Sequence, residues 1–203
     1  MNFDWIKPTK VSRRVEVILE AIRVGYKPFW LVDDIKPVYI EKLRKEILKG
    51  NFCSGIILNE LMVWYPANLS NLDTVPVIFD VPSHAIVEDS SNEILGIANS
   101  IISNAQVRKS SYVLSEKSYL IPTLIGILLG YPIVYKISDY FDEHLNTLNN
   151  CDLVLYKIYF KNELISTFSV PLSVKPKIDV SISQINAQLN VLSEPINLPS
   201  VCL

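Results

Sequence analysis

Apolar positions recur along the chain in two rhythms, one helical and one extended. Val11, Val15, Ile18, Leu19 and Ile22 follow the spacing of one helical face, and Gly25 supplies a stop. Phe29-Trp30-Leu31-Val32 is a continuous apolar run leading into Asp33-Asp34, the pattern of a strand buried on both faces. Pro37 opens the next predicted helix, which carries Ile40, Leu43 and Ile47 on one face and ends at Gly50. Residues 55–58 and 61–64 flank Asn59-Glu60 and predict a hairpin, although the usual second-position glycine is missing. After a loop rich in Asn, Asp and Pro, residues 76–80 repeat the buried-strand pattern.

Ser90 or Ser91 is suited to cap a helix whose face holds Ile94, Ile97, Ala98, Ile101 and Ala105. Tyr112-Val113-Leu114 predicts a short strand ending at Ser115-Glu116, followed by a helix over about 118–129 and a strand over 133–137. Residues 153–160 and 164–170, around Lys161-Asn162-Glu163, form the clearest hairpin pattern. A last helix is expected between Ile178 and Leu189, before an extended tail to Leu203. Strands alternating with helices, plus two hairpins, predict one α/β domain over 1–203. Its expected architecture is a three-layer sandwich with a mixed, mainly parallel sheet and a C-terminal β-hairpin.

Composition narrows the function classes. With 203 residues, 49% of them hydrophobic, the chain can bury a sizeable core without disulfides or metal, and it does not read as disordered. Nineteen Lys and Arg against twenty-one Asp and Glu argue against a dedicated nucleic-acid binder, which needs a basic surplus. Cys53, Cys151 and Cys202 are scattered and odd in number, which fits a reducing compartment. The opening Met1-Asn2-Phe3-Asp4-Trp5 does not read as a signal peptide. The apolar tract 120–135 is broken by Pro122, Gly126, Gly130 and Pro132, and falls short of the ~20 residues a membrane span needs. The expectation is a cytoplasmic protein that neither crosses a membrane nor binds nucleic acid.

Three predicted core strands end in polar residues: Asp33-Asp34, Asp80 and Ser115-Glu116. In open α/β sheets, ligands bind beyond the carboxyl ends of parallel strands, so these ends would converge on one crevice if the strands are neighbours. Carboxylates there could bind Mg²⁺, hold a sugar hydroxyl or act as a general base. The competing reading is structural, because Asp and Ser also cap helices and form Asx-turns at such positions. Asp34 with Pro37 resembles a cap and first turn, which leaves Asp33 as the better functional candidate.

His84 follows the Asp80 strand within Pro82-Ser83-His84 and could reach the same crevice, whereas His144 has the character of an exposed position. Two histidines sixty residues apart, with no cysteine pair, give no zinc pattern. Ser118 fits an N-cap, and a helix N-terminus beside Lys117 could receive a phosphate. No G-x-S-x-G, P-loop or G-x-G-x-x-G is present. Tyr26-Lys27-Pro28-Phe29-Trp30 and Trp64-Tyr65-Pro66 place aromatics beside prolines, as core packing or as walls for a stacked ring.

Gly126-Ile127-Leu128-Leu129-Gly130-Tyr131-Pro132, then Phe168-Ser169-Val170-Pro171, then the tail from Ile196 to Leu203, carry a resemblance. In that order they resemble the eukaryotic protein family represented in humans by open reading frame seventy-four of chromosome 1. The resemblance covers most of the chain from about Lys27 onward, with departures in the first forty residues and around Asn68. It implies no activity and carries over no catalytic residue, but it directs attention to the Gly130-Tyr131-Pro132 turn.

The leading expectation is a domain that binds a small nucleotide-like or phosphorylated metabolite at the strand ends. Hydrolysis of a phosphoester or glycosidic bond there would use Asp33 and Asp80 as base or metal ligands and Ser115 to orient the substrate. Asp34, His84, Glu116, Lys117 and Tyr131 would surround the ligand. Two alternatives stand beside it. One is a sequestering protein that leaves its ligand unchanged. The other is an interaction module using the tail 195–203 or an edge of the 156–170 hairpin.

Overall fold

The computed structural model describes residues 9–33, 35–58, 60–71, 76–87, 91–106, 111–112, 121–136, 148, 151–184 and 188–196. Helix α1 (Thr9–Arg23) buries the predicted face, with Val15, Ile18, Leu19 and Ile22 all in the core. It stops where Gly25 takes φ 87° and the Tyr26 N–H donates to the Ala21 carbonyl at 2.8 Å, the closing bond of a Schellman turn. The chain then enters β1 (Phe29–Leu31). Helix α2 (Pro37–Lys49) begins on its proline as predicted, but the residue before it is Lys36, which makes no side-chain capping bond.

Strands β2 (Cys53–Ile57) and β3 (Glu60–Trp64) form the first hairpin. The turn lacks a glycine, and Leu58 takes the left-handed conformation (φ 54°) instead. That conformation costs roughly 1–2 kcal/mol in a non-glycine residue. Burial of the Leu58 side chain to 2% exposure offsets it. A 3₁₀ turn (Pro66–Asn71) precedes β4 (Val77–Asp80) and β5 (Ala85–Ile86). Helix α3 (Ser91–Gln106), strand β6 (Ser111–Tyr112), helix α4 (Ile121–Leu128) and strand β7 (Ile133–Lys136) follow. The C-terminal part contains β8 (Leu153–Phe160), β9 (Glu163–Pro171), α5 (Lys175–Ser183) and β10 (Leu189–Ile196).

These strands build three small sheets, ordered β1-β3-β2-β6, β5-β4-β7 and β10-β8-β9. Among the described residues only β2–β6 and β4–β7 pair in parallel; the remaining pairs are antiparallel. The chain is therefore mixed α/β, but the expected three-layer sandwich on a mainly parallel sheet is not what forms. Continuous apolar runs suggested parallel strands because such strands are covered on both faces. Here the double covering comes from helices and neighbouring sheets packed on short antiparallel strands: Met62, Val63 and Trp64 of β3 are all buried.

The C-terminal hairpin forms as expected, and Lys161 and Asn162 both take positive φ (51° and 66°), the two-residue turn that matches strand twist. The tail contributes more than expected. The last helix ends at Ser183, and residues 189–196 pair with β8 as a third strand. The core runs on both sides of the sheets in two apolar clusters, and Tyr131 packs against both. Among the described residues, no helix is long and apolar enough to cross a membrane.

Candidate functional site

Two helix stops face each other. Helix α4 ends as α1 does: Gly130 takes φ 76° and the Tyr131 N–H donates to the Gly126 carbonyl at 3.0 Å. A Cβ at Gly130 would lie 2.7 Å from Pro28 Cδ, so only a glycine allows the two turns to approach this closely. Lys27 and Tyr131 therefore emerge side by side from the two turns, and both line one small cleft.

The opposite wall is β9, which is irregular at this point. Ile158 of β8 pairs with Ser166 and Tyr159 pairs with Leu164, so Ile165 is an extra residue with no partner across the ladder. Such a bulge releases a backbone group from the sheet and re-aims the residues beside it. The Lys27 ammonium donates to the Ile165 carbonyl at 3.0 Å. Lys27 is only 8% exposed, so its charge is held inside the protein, where an ammonium group is favourable only with acceptors around it.

Two cavities meet at Lys27. The smaller, about 130 Å³, is bordered by Arg14, Lys27, Asp33, Tyr131, Ser166 and Thr167 among others. The larger, about 420 Å³, shares Lys27, Leu129, Ile165 and Ser166, and continues past Pro132, Phe168 and Leu189. One end is polar and carries two cations and one carboxylate; the other is mixed, with apolar side chains in the majority. Tyr131 lies tilted against the Phe168 ring, 5.7 Å between centroids. Its phenol is held above the ordinary tyrosine range, chiefly by burial, with the nearby Asp33 charge adding and a hydrogen bond to Ser166 opposing.

Of the residues singled out in the sequence, Asp33 and Tyr131 are brought together in this cleft. The end of the third predicted strand, at Ser115-Glu116, lies outside the described residues. Strands β1 and β6 run in the same direction but sit at opposite edges of their sheet, three strand spacings or roughly 14 Å apart. Strand β4, which carries Asp80, belongs to another sheet. The Asp80 carboxylate accepts from the backbone N–H and the hydroxyl of Ser83, three residues on, at 3.1 and 2.6 Å, the reach of a capping side chain. His84 lines a separate cavity. Asp34, Ser115, Glu116 and Lys117 lie outside the described residues. Among those described, no three His, Cys, Asp or Glu side chains gather as a metal cluster.

Lys27, Arg14 and Ser166 escaped the sequence reading. A signal existed for Lys27: a charge between Tyr26 and Pro28, directly before a buried strand, has no solvent-facing register to occupy. Ser166 had none, because the bulge that aims it depends on pairing between β8 and β9.

Fold and cleft together define a mixed α/β protein with a buried lysine at the junction of a polar and a mainly apolar cavity. The chain belongs to a family of domains of unknown function, DUF4504, whose model matches residues 67–201. That span includes Tyr131, Ser166 and the bulged strand but not Lys27 or Asp33, which come from the preceding segment. No curated protein and no solved structure matches the chain.

Proposed function

We propose that the paired cavities bind a small phosphorylated, nucleotide-like metabolite, with its anionic group at Lys27 and its ring or chain in the larger cavity. The observation that carries this reading is the placement of the Lys27 ammonium, buried yet bordering both cavities. Arg14 adds a second cation, and Ser166, Thr167 and Tyr131 add hydroxyls, the donor set that phosphate oxygens use. A cavity of about 420 Å³ lies within the range of small-molecule sites, and its mainly apolar lining suits a planar ring. Asp33 is the carboxylate placed to act as general base if the bound ligand is hydrolysed.

The same reading places the chain with the eukaryotic family represented in humans by open reading frame seventy-four of chromosome 1, on the strength of the Gly126–Pro132 run. It also places the protein in the reducing cytoplasm, consistent with Cys53 and Cys151 forming no disulfide.

The test is a thermal-shift screen against nucleotides, sugar phosphates and their unphosphorylated counterparts, with and without Mg²⁺. A ligand at ~100 times its dissociation constant stabilises the fold by about 2.7 kcal/mol. The expected result is a shift that requires the phosphate and disappears in Lys27→Met. Recovering the ligand after incubation then separates hydrolysis from sequestration. A flat screen, or a shift that survives in Lys27→Met, overturns the reading.

A further inference from the structure

The strand β4–β5 turn holds a second constellation, separate from the Lys27 cleft. Asp80 fixes Ser83 through two hydrogen bonds, the His84 N–H donates to the Val81 carbonyl at 3.3 Å, and His84 itself sits at φ 52°. The left-handed conformation swings the imidazole toward a residue 67 positions away: His84 Nδ1 lies 3.7 Å from Cys151 Sγ. Sulfur and nitrogen at that separation are within hydrogen-bond reach, the relation a nucleophile and its base need before substrate binds. The pair opens on a cavity of about 410 Å³ whose other walls include Phe79, Asp152, Pro171 and Ser173. Both side chains are accessible, so a small molecule entering this cavity meets sulfur and imidazole together.

We propose that Cys151 and His84 are the nucleophile and general base of a covalent site that takes small acyl donors. The thiol sulfur attacks the acyl carbon, and the Sγ proton passes to His84 Nδ1. The bond from the acyl carbon to the leaving group breaks, and the leaving group departs with that proton. The products are S-acyl Cys151 and the protonated leaving group, so no oxidant, reductant or metal is required. Partial burial and the neighbouring Asp152 carboxylate hold the Cys151 thiol above its ordinary range. The thiol is therefore held toward its protonated form, and the proposed role of His84 is to take the proton during attack. The Tyr135 phenol, also close to Cys151, stays protonated and donates to the Ser169 carbonyl, so it does not compete as a base. Asp80 acts through the turn as a positioning residue.

The full chain is incubated with 4-nitrophenyl acetate, and acetylation of each cysteine is followed by peptide mass spectrometry. Cys53, a second partly exposed cysteine that is not in a disulfide, is the internal comparison. Cys151 is expected to acetylate at least ten times faster than Cys53. In His84→Asn, the Cys151 rate falls at least tenfold while the Cys53 rate and the melting temperature hold, because asparagine accepts the same left-handed backbone without supplying a base. His84→Gly, which also fits that backbone, is the second variant and gives the same loss. Cys151→Ser abolishes the fast release of nitrophenolate. A Cys151 rate within twofold of Cys53, or one unchanged by both His84 variants, overturns the proposal; a purely structural His84 would leave the labelling ratio where it was.

Discussion

At the residue scale, Tyr135 shows how burial sets chemistry. Its hydroxyl donates to the Ser169 carbonyl at 2.7 Å, and burial pushes its phenol up to about 12; Ser169 opposes that rise, and the nearby Cys151 adds to it. The unfolded chain ionises the same phenol near ~10. Between those values the folded state keeps a proton that the unfolded state has lost, so stability falls as pH rises from about 10 toward 12. The loss from this one group is roughly 2–3 kcal/mol. Urea titrations at pH 9 and 11.5 check this: Tyr135→Phe is less stable than wild type at pH 9, and the gap narrows or reverses at pH 11.5. A gap that is constant with pH would mean the phenol titrates normally.

Gly130 gives a second prediction at this scale. Gly130→Ala carries both the left-handed strain, roughly 1–2 kcal/mol, and the 2.7 Å approach to Pro28 Cδ. Removing the ring with Pro28→Ala relieves the second cost and not the first. The double variant is therefore expected to be less destabilised than the sum of the singles, a coupling that denaturant unfolding reads directly. Simple additivity would show that the two turns do not touch.

At the element scale, α5 is fastened to β8 by one polar cluster. Tyr156 Oη donates to Asp179 Oδ1, and Lys175 Nζ donates to Asp179 Oδ2 from one turn earlier on the helix. The Lys175 hydrogen bond, with Tyr156 second, holds the Asp179 carboxyl below the usual carboxylate range. A depressed carboxylate stabilises the fold above its unfolded value and loses that contribution as pH falls through the folded value. Asp179→Asn is thus expected to melt slightly below wild type at neutral pH, with the gap narrowing as pH falls below the ordinary carboxylate range. The effect is small, because Asp179 is nearly half exposed.

The sequence announced α5 only by the apolar residue Ile178, and the expected span began there, three residues after the observed start at Lys175. Elements with strong internal signals were legible: the α1 face, the α2 proline start, and both hairpins. What could not be read was which strand lies beside which. Short runs such as residues 29–32 and 76–80 look alike whether their cover is a helix, a sheet or both, so the pairing direction was undetermined. The candidate site followed the same division. Asp33 stood out as a polar group at the end of an apolar run, and Tyr131 only through the resemblance carried by its turn. Lys27 and Ser166 became visible only once the two glycine turns met and β9 bulged.

At the scale of the whole molecule, the sheet β10-β8-β9 joins the rest through two kinds of contact, and they carry unequal weight. Exposed ion pairs run from Glu20 to Lys161 and from Arg13 to Glu163. Buried contacts set the Tyr26 ring edge-on to Phe160 at 5.2 Å, and place Phe168 between Tyr131 and Tyr156, the latter stacked at 5.4 Å. Exposed pairs contribute about 0–1 kcal/mol and are screened by salt, whereas emptying a buried aromatic site costs about 3–5 kcal/mol. Lys161→Gln is therefore expected to shift the unfolding midpoint little, and the shift vanishes in 1 M salt, where the Debye length is ~3 Å. Phe168→Ala is expected to cost several times more at any salt concentration, because it leaves Tyr131 and Tyr156 facing a void. Phe168 also lines the larger cavity, so the same variant weakens any ligand held there. Phe168→Leu separates the two effects: it restores much of the packing volume but not the flat ring. Stability should recover more than ligand affinity does, as unfolding and thermal-shift titrations on the same preparation would show. Equal recovery of both would mean that the ring serves packing alone.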